Sequence, residues 1–144
     1  MIYTPMTKKA LKLCFEAHKD QIDKSGMPYV FHPFHLAEQM IEEKTTVVAL
    51  LHDVIEDTEY TVNDLRAMGF SEDIIEAISL MTHAADVPYM EYVKNIKTNP
   101  IASVVKLADL KHNSDLSRLE CVTPFDEARA EKYKKAIEIL EDTN

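Results

Sequence analysis

Residues 47–59 read VVALLHDVIEDTE, five apolar residues followed by His52, Asp53, Glu56, Asp57 and Glu59. A helix is the expected form. Stepping by about 100° per residue from Leu51 puts Val47, Val48, Val54 and Ile55 within about 60° of it, on one side. His52, Asp53, Glu56 and Asp57 gather on a second arc as two i,i+4 pairs, His52–Glu56 and Asp53–Asp57. Ala49 and Leu50 lie in or beside that same arc one turn earlier, so the first half is apolar nearly all round. The pattern marks a buried central helix whose polar groups emerge at its end.

Acids in that position carry a cost. Like charges three or four residues apart repel by a few tenths of a kcal/mol, and carboxylates near a helix C-terminus oppose the macrodipole. A solvated helix end is one reading of such a face. A divalent metal is the other, since imidazole and carboxylate are good ligands for Mn²⁺, Fe²⁺ or Zn²⁺. His52 and Asp53 are then candidate ligands, and Glu56 and Asp57, one turn on, are placed to handle an attacking water. His32 stands at a turn-to-helix junction. Asp109 falls within the apolar run SVVKLADL, where an acid needs a partner, and Asn113 shares its face four residues later. Together His32, His52, Asp53 and Asp109 form a His/His/Asp/Asp set with open positions for water and substrate.

The rest of the chain reads as helices joined by short turns. Residues 5–21 form one, with Leu11, Cys14, Phe15 and His18 near one side. KSGMPY (24–29) is a turn, because Gly26 permits positive φ and Pro28 blocks a helix. HPFHLAEQM opens the next helix with Pro33 at its first position, and Thr45 or Thr46 can cap the one after. VNDLRAM ends at Gly69, and Ser71 caps EDIIEAISLMTH. VPYMEYVKNI and NPIASVVKLADLKHNSDL follow, and the last helix opens at TPFDEA with Thr123 as cap and Pro124 first. No convincing period-two strand is found. The expected fold is all-α, a single multi-helix domain over residues 1–144.

The bulk numbers agree. A chain of 144 residues with 46% apolar and 28% charged content is ordinary for a globular protein. Two glycines leave little room for tight hairpins. The net charge of −9, from 16 basic and 25 acidic residues, disfavours duplex nucleic acid but admits a small phosphorylated ligand beside a cation. Cys14 and Cys121 read as two buried thiols in a reducing compartment. No secretory signal and no membrane span are visible, so the expected location is the cytoplasm. The sequence leaves the oligomeric state open.

PYVFHP, LLHDVIEDT and VKLADLKHN, in that order, resemble the HD superfamily of metal-dependent phosphohydrolases. More narrowly they are similar to the small RelA/SpoT-type hydrolases of the alarmone (p)ppGpp, which remove its 3′-pyrophosphate. The resemblance implies that His32, His52, Asp53 and Asp109 hold one divalent metal, Mn²⁺ in the first place, with Fe²⁺, Co²⁺ or Zn²⁺ as alternatives. It implies that Glu56 and Asp57 activate and orient the water. Asn113 matches a residue near the reacting phosphate, Lys24 a basic residue at the nucleotide edge, and Arg129 and Tyr133 a pair bordering phosphate and sugar.

One departure bears on the substrate. These hydrolases usually carry arginine before the lysine of KSG, packed against the guanine, and this chain has Asp23. An aspartate can neither stack as a guanidinium does nor neutralise phosphate. Three functions therefore stand: a (p)ppGpp 3′-pyrophosphohydrolase, a phosphohydrolase of another metabolite such as NADPH or a 5′-nucleotide, and a non-catalytic, metal-stabilised binding or antitoxin module. His18, His35, His83 and His112 are read as structural or surface residues.

Overall fold

A computed structural model describes residues 1–142. Among these, nine α-helices follow one another: α1 (Pro5–His18), α2 (Phe31–Glu38), α3 (Glu43–Leu51), α4 (Val54–Asp57), α5 (Val62–Ala67), α6 (Glu72–Met81), α7 (Tyr89–Lys97), α8 (Pro100–Asn113) and α9 (Pro124–Glu141), with a 3₁₀ turn at Leu116–Arg118. Among the described residues, only an isolated bridge between Ile22 and Pro28 pairs as a strand would. The all-α expectation holds.

The centre is α3. Every residue from Thr45 to Leu51 is buried, and α1, α2, α6 and α8 pack around it. A helix with no polar face can exist only where neighbours cover all sides, and the five-residue run VVALL supplies that surface. Burying a Val or Leu side chain stabilises by about 1.5–3 kcal/mol, so α3 anchors the elements that surround it. The helix stops where the polar residues begin. Asp53 adopts φ −103° and ψ 1°, outside the α-helical region, and α4 resumes at Val54. The expected single helix is thus two, kinked at the His-Asp pair.

Several expected starts shift. Thr45 and Thr46 cap nothing: they lie inside α3, and their hydroxyls donate to the Glu42 carbonyl at 3.2 and 2.7 Å. Pro33 falls at the third residue of α2, not the first, because the turn at Tyr29–Val30 already leads into the helix. α1 ends at His18 rather than at residue 21, since Gln21 and Tyr29 close a small loop through Tyr29 N–H to Gln21 C=O at 2.9 Å. Gly26 sits in that loop at φ +81° and Gly69 follows α5 at φ +92°, as their positions required. Thr123 caps α9 with a reciprocal bond to Asp126, with Pro124 at its first position. Ser71 precedes α6, yet its hydroxyl bonds the Asp73 side chain instead of the backbone.

Cys14 is buried, but Cys121 is exposed, because it falls in the loop between the 3₁₀ turn and α9. No helix among the described residues is long and apolar enough to cross a membrane.

Candidate metal centre and adjoining cleft

α2, α3 and α8 each deliver one side chain to a single point. His32 Nε2 lies 2.8 Å from Asp109 Oδ1, and His52 Nε2 lies 3.6 Å from the same oxygen. All three residues are buried. Ligand atoms about 2.0–2.2 Å from one ion stand roughly 3.0–3.6 Å apart, and the trio comes close to that spacing. Asp53 stands beside it, with Oδ2 3.1 Å from His52 Nε2 and accepting the Tyr29 hydroxyl.

Protonation suits a cation. His52 Nδ1–H donates to the Ala49 carbonyl at 2.7 Å, which leaves Nε2 bare, buried and without a hydrogen-bond partner. An orphaned, inward-facing imidazole nitrogen is what an ion would satisfy. His32 is held by His112, Nδ1 to Nδ1 at 2.7 Å, with the two rings stacked. Burial, with His32 and Arg118 nearby, pushes His112 down to about 4, so it is neutral and shares a proton with His32 between the two Nδ1 atoms. Burial also lowers His32, keeping it neutral as a ligand must be.

The two carboxylates are driven apart. Burial works against an Asp109 charge, but Lys106 and the two histidines outweigh it and hold that carboxyl well below the usual range. Burial, then Asp109 and Asp57, push Asp53 well above it. Two close carboxylates, Asp109 buried and Asp53 half-buried, give this split. Lys106, whose charge burial alone would disfavour, is held protonated by Asp109 at 2.8 Å. Burial pushes the Tyr89 phenol up to about 12, which keeps it a neutral donor.

Glu56 reaches back toward the centre, its Oε1 accepting the His83 backbone N–H at 3.0 Å, and it shares a small cavity with Asp109 and Asn113. Asp57 is exposed, and its carbonyl accepts from the Gln21 side chain at 3.4 Å. Asn113 Nδ2 donates to Asp109 Oδ1 at 2.9 Å, orienting the carboxylate.

A cleft of about 330 Å³ opens beside the centre, and Lys24, Asn113, Arg129 and Tyr133 all line it. Lys24 and Arg129 flank the Phe125 ring at 5.4 and 5.6 Å. Asp23 also faces the cleft, and most of its bonding capacity is spent locally: Oδ1 accepts from Ser25 N–H, the Ser25 hydroxyl and Met27 N–H. Its other oxygen meets Arg118 Nη2 at 3.5 Å. A cation is therefore present next to Asp23, supplied from the loop after α8.

Sequence reasoning passed over Tyr29, Lys106, His112 and Arg118. Lys106 had a signal, a lone cation three residues before Asp109 in an apolar helix. The others sit in irregular segments or at a helix end, where periodicity carries no information.

No protein-family model matches the chain. A GTP pyrophosphokinase of Streptomyces coelicolor is 32% identical over 147 residues, covering 93% of this chain and 16% of that protein. The bifunctional (p)ppGpp synthase/hydrolase SpoT of Escherichia coli K12 is 31% identical over 121 residues, 74% of this chain and 17% of that one. A guanosine-3′,5′-bis(diphosphate) 3′-pyrophosphohydrolase of Aquifex aeolicus is 27% identical over 135 residues, 89% and 19%. The chain thus spans less than a fifth of these relatives. Among solved structures, a metazoan ortholog of SpoT that hydrolyses ppGpp superposes with a TM-score of 0.79 at 23% identity, covering 100% of this chain and 90% of that one; the likeness establishes the shared fold.

Proposed function

Over most of its length the chain is homologous to one region of the RelA/SpoT proteins, and from that premise we propose that it is a metal-dependent phosphohydrolase acting on (p)ppGpp or a close nucleotide relative. The names of those relatives include both synthesis and hydrolysis. The observation that selects hydrolysis here is the convergence of His32 Nε2, His52 Nε2 and Asp109 Oδ1, with the His52 nitrogen buried and unpaired.

These three residues, with Asp53 alongside, would hold one divalent ion. A hard oxygen donor set mixed with imidazole and free of thiolate supports manganese, and unpaired thiols support a reducing cytosol. When bound, such an ion lowers the pKa of a water and polarises a phosphoryl oxygen. Glu56 accepts the water's proton, fixed for that task by the His83 N–H. Asp57 is the second acid, adjusting the field at Asp53. Asn113 holds the ligand carboxylate in place, and Lys24 and Arg129 bind the anion across the cleft with Tyr133 as its wall. Positioning and charge stabilisation dominate phosphoryl transfer.

Asp23 favours a second substrate reading. Its carboxylate, bonded within its own turn and to Arg118, offers no guanidinium for a guanine to stack on, so NADPH or a 5′-nucleotide stands as the alternative. Metal analysis of the purified protein, followed by product identification from (p)ppGpp, NADPH and 5′-nucleotides, decides between them. The expected result is a bound transition metal and pyrophosphate released from (p)ppGpp. Orthophosphate from NADPH would move the assignment to the alternative. Metal-loaded protein that hydrolyses nothing in the panel would overturn both and favour a binding or antitoxin module.

A further inference from the structure

Among the described residues, three buried side-chain atoms lack a hydrogen-bond partner: His52 Nε2, the Tyr89 hydroxyl and His18 Nε2. The first belongs to the metal centre, and the second lines the small cavity beside it. His18 has been given no part in either. It is the last residue of α1 and is 1% exposed. Leaving an imidazole nitrogen buried and unpaired is costly, and an apolar ring would fill the same space without that cost. The use of this imidazole therefore lies at its other nitrogen.

His18 Nδ1 meets Gln21 Oε1 at 3.0 Å. An amide oxygen only accepts, so Nδ1 carries the proton and Nε2 is bare. Burial lowers the His18 pKa, which keeps a single proton on the ring. The bond also settles which way the Gln21 amide faces. With Oε1 taken up by His18, the NH₂ end donates to the Asp57 carbonyl, 3.4 Å away. His18, Gln21 and Asp57 thus form a relay from α1 to the end of α4. The same imidazole packs on the Tyr29 ring, with 4.9 Å between centroids, and the Tyr29 hydroxyl donates to Asp53.

α4 needs such support. It is one turn of four residues, Val54–Asp57, and so short a helix does not hold itself in water. Val54 is buried at its start, but Glu56 and Asp57 at its end are exposed. Within the chain's own turn, the Thr58 hydroxyl closes on the Val54 carbonyl. From outside, the His83 backbone N–H holds the Glu56 carboxylate and Gln21 holds the Asp57 carbonyl.

We propose that His18 is a positioning residue for the acid-bearing turn: by orienting the Gln21 amide it fixes the end of α4, and with it the direction of Glu56. The proposal rests on the phosphohydrolase reading, in which Glu56 takes the proton of the attacking water. His18 is not itself catalytic, because it acts through Gln21. The Gln21 bond is long and partly solvated, so its loss should cost turnover roughly three- to tenfold. That loss falls on kcat rather than KM, since the residues lining the cleft stay as they are.

The test uses the full manganese-loaded chain with two substitutions. Gln21→Met keeps the length of the side chain and removes its amide, and His18→Phe keeps a ring against Tyr29 and removes the donor. kcat and KM for (p)ppGpp are measured, with amide hydrogen exchange at Asp57 and Thr58, whose N–H groups bond the Asp53 and Val54 carbonyls. Each single variant should lose roughly three- to tenfold in kcat at unchanged KM, and exchange over α4 should quicken by a similar factor. The double variant should fall no lower than the worse single one, because both cut the same relay. His18→Asn, whose amide supplies an N–H in place of Nδ1, should recover part of the loss seen in His18→Ala. The melting temperature of Gln21→Met should match wild type, which separates positioning from unfolding. Wild-type kcat or wild-type exchange in Gln21→Met, or losses that multiply in the double variant, overturns the relay. Quickened exchange in a chain that leaves every nucleotide of the panel intact would keep the relay and remove the phosphohydrolase reading.

Discussion

His52 is suited to be a ligand by the bond on the far side of its ring. Donation from Nδ1 to the Ala49 carbonyl strips the proton from Nε2 and aims that nitrogen at Asp109. His32 is held in place by His112, a neutral ring that stacks on it, and by Asp109. Glu56 differs in kind: it is exposed at its edge, held by a backbone N–H, and bonded to neither histidine. Replacing Glu56 by Gln should therefore leave metal content and melting temperature as they are while turnover falls by ~10²–10⁴, the usual share of general acid–base assistance. Equal turnover in that variant would remove Glu56 from the mechanism. At this scale the ligands were legible because acids and imidazoles are conspicuous in an apolar run. Lys106 was as conspicuous, but its meaning depended on its pairing with Asp109 inside the packed molecule.

α3 and α8 carry the chemistry at the scale of elements. α3 is covered on all sides and ends where its polar residues begin, and the kink at Asp53 re-aims α4 so that Glu56 joins Asp109 and Asn113 at one cavity. α8 brings Lys106, Asp109 and Asn113 from one stretch of helix. Its start is secured by Asn99, whose side chain accepts the N–H groups of Ile101 and Ala102, each at 3.0 Å. Asn99→Ala should cost about 1 kcal/mol, read as a lower melting temperature, with metal affinity little changed because the ligand lies more than two turns away. A variant as stable as wild type would show that tertiary packing, not the cap, sets where α8 begins. The kink itself was not legible, since helical periodicity continues through His52 and Asp53 as if nothing happened there. What accompanies the break is bonding outside the helical ladder, the Tyr29 hydroxyl to Asp53 and the His52 ring to the Ala49 carbonyl.

For the molecule as a whole, the candidate metal centre would also act as a tertiary staple, because His32, His52 and Asp109 come from α2, the end of α3 and α8, which pack on one another. Chelating the ion should stop turnover and lower the melting temperature. Manganese restored at one hundred times its Kd should return about 2.7 kcal/mol of stability, and a melting temperature indifferent to manganese would exclude this trio as a binding site. The amino-acid sequence by itself determined the all-helical class, the burial of α3 and the residue types able to hold an ion, since apolar periodicity and caps act over a few residues. Tertiary structure alone decided that ligand atoms of His32, His52 and Asp109 meet within 4.8 Å of one another, that Arg118 comes to lie against Asp23, and that a cavity opens behind Asn113. Those facts depend on the angles at which helices pack, and packing angles follow from the fit of whole faces rather than from any local run of residues.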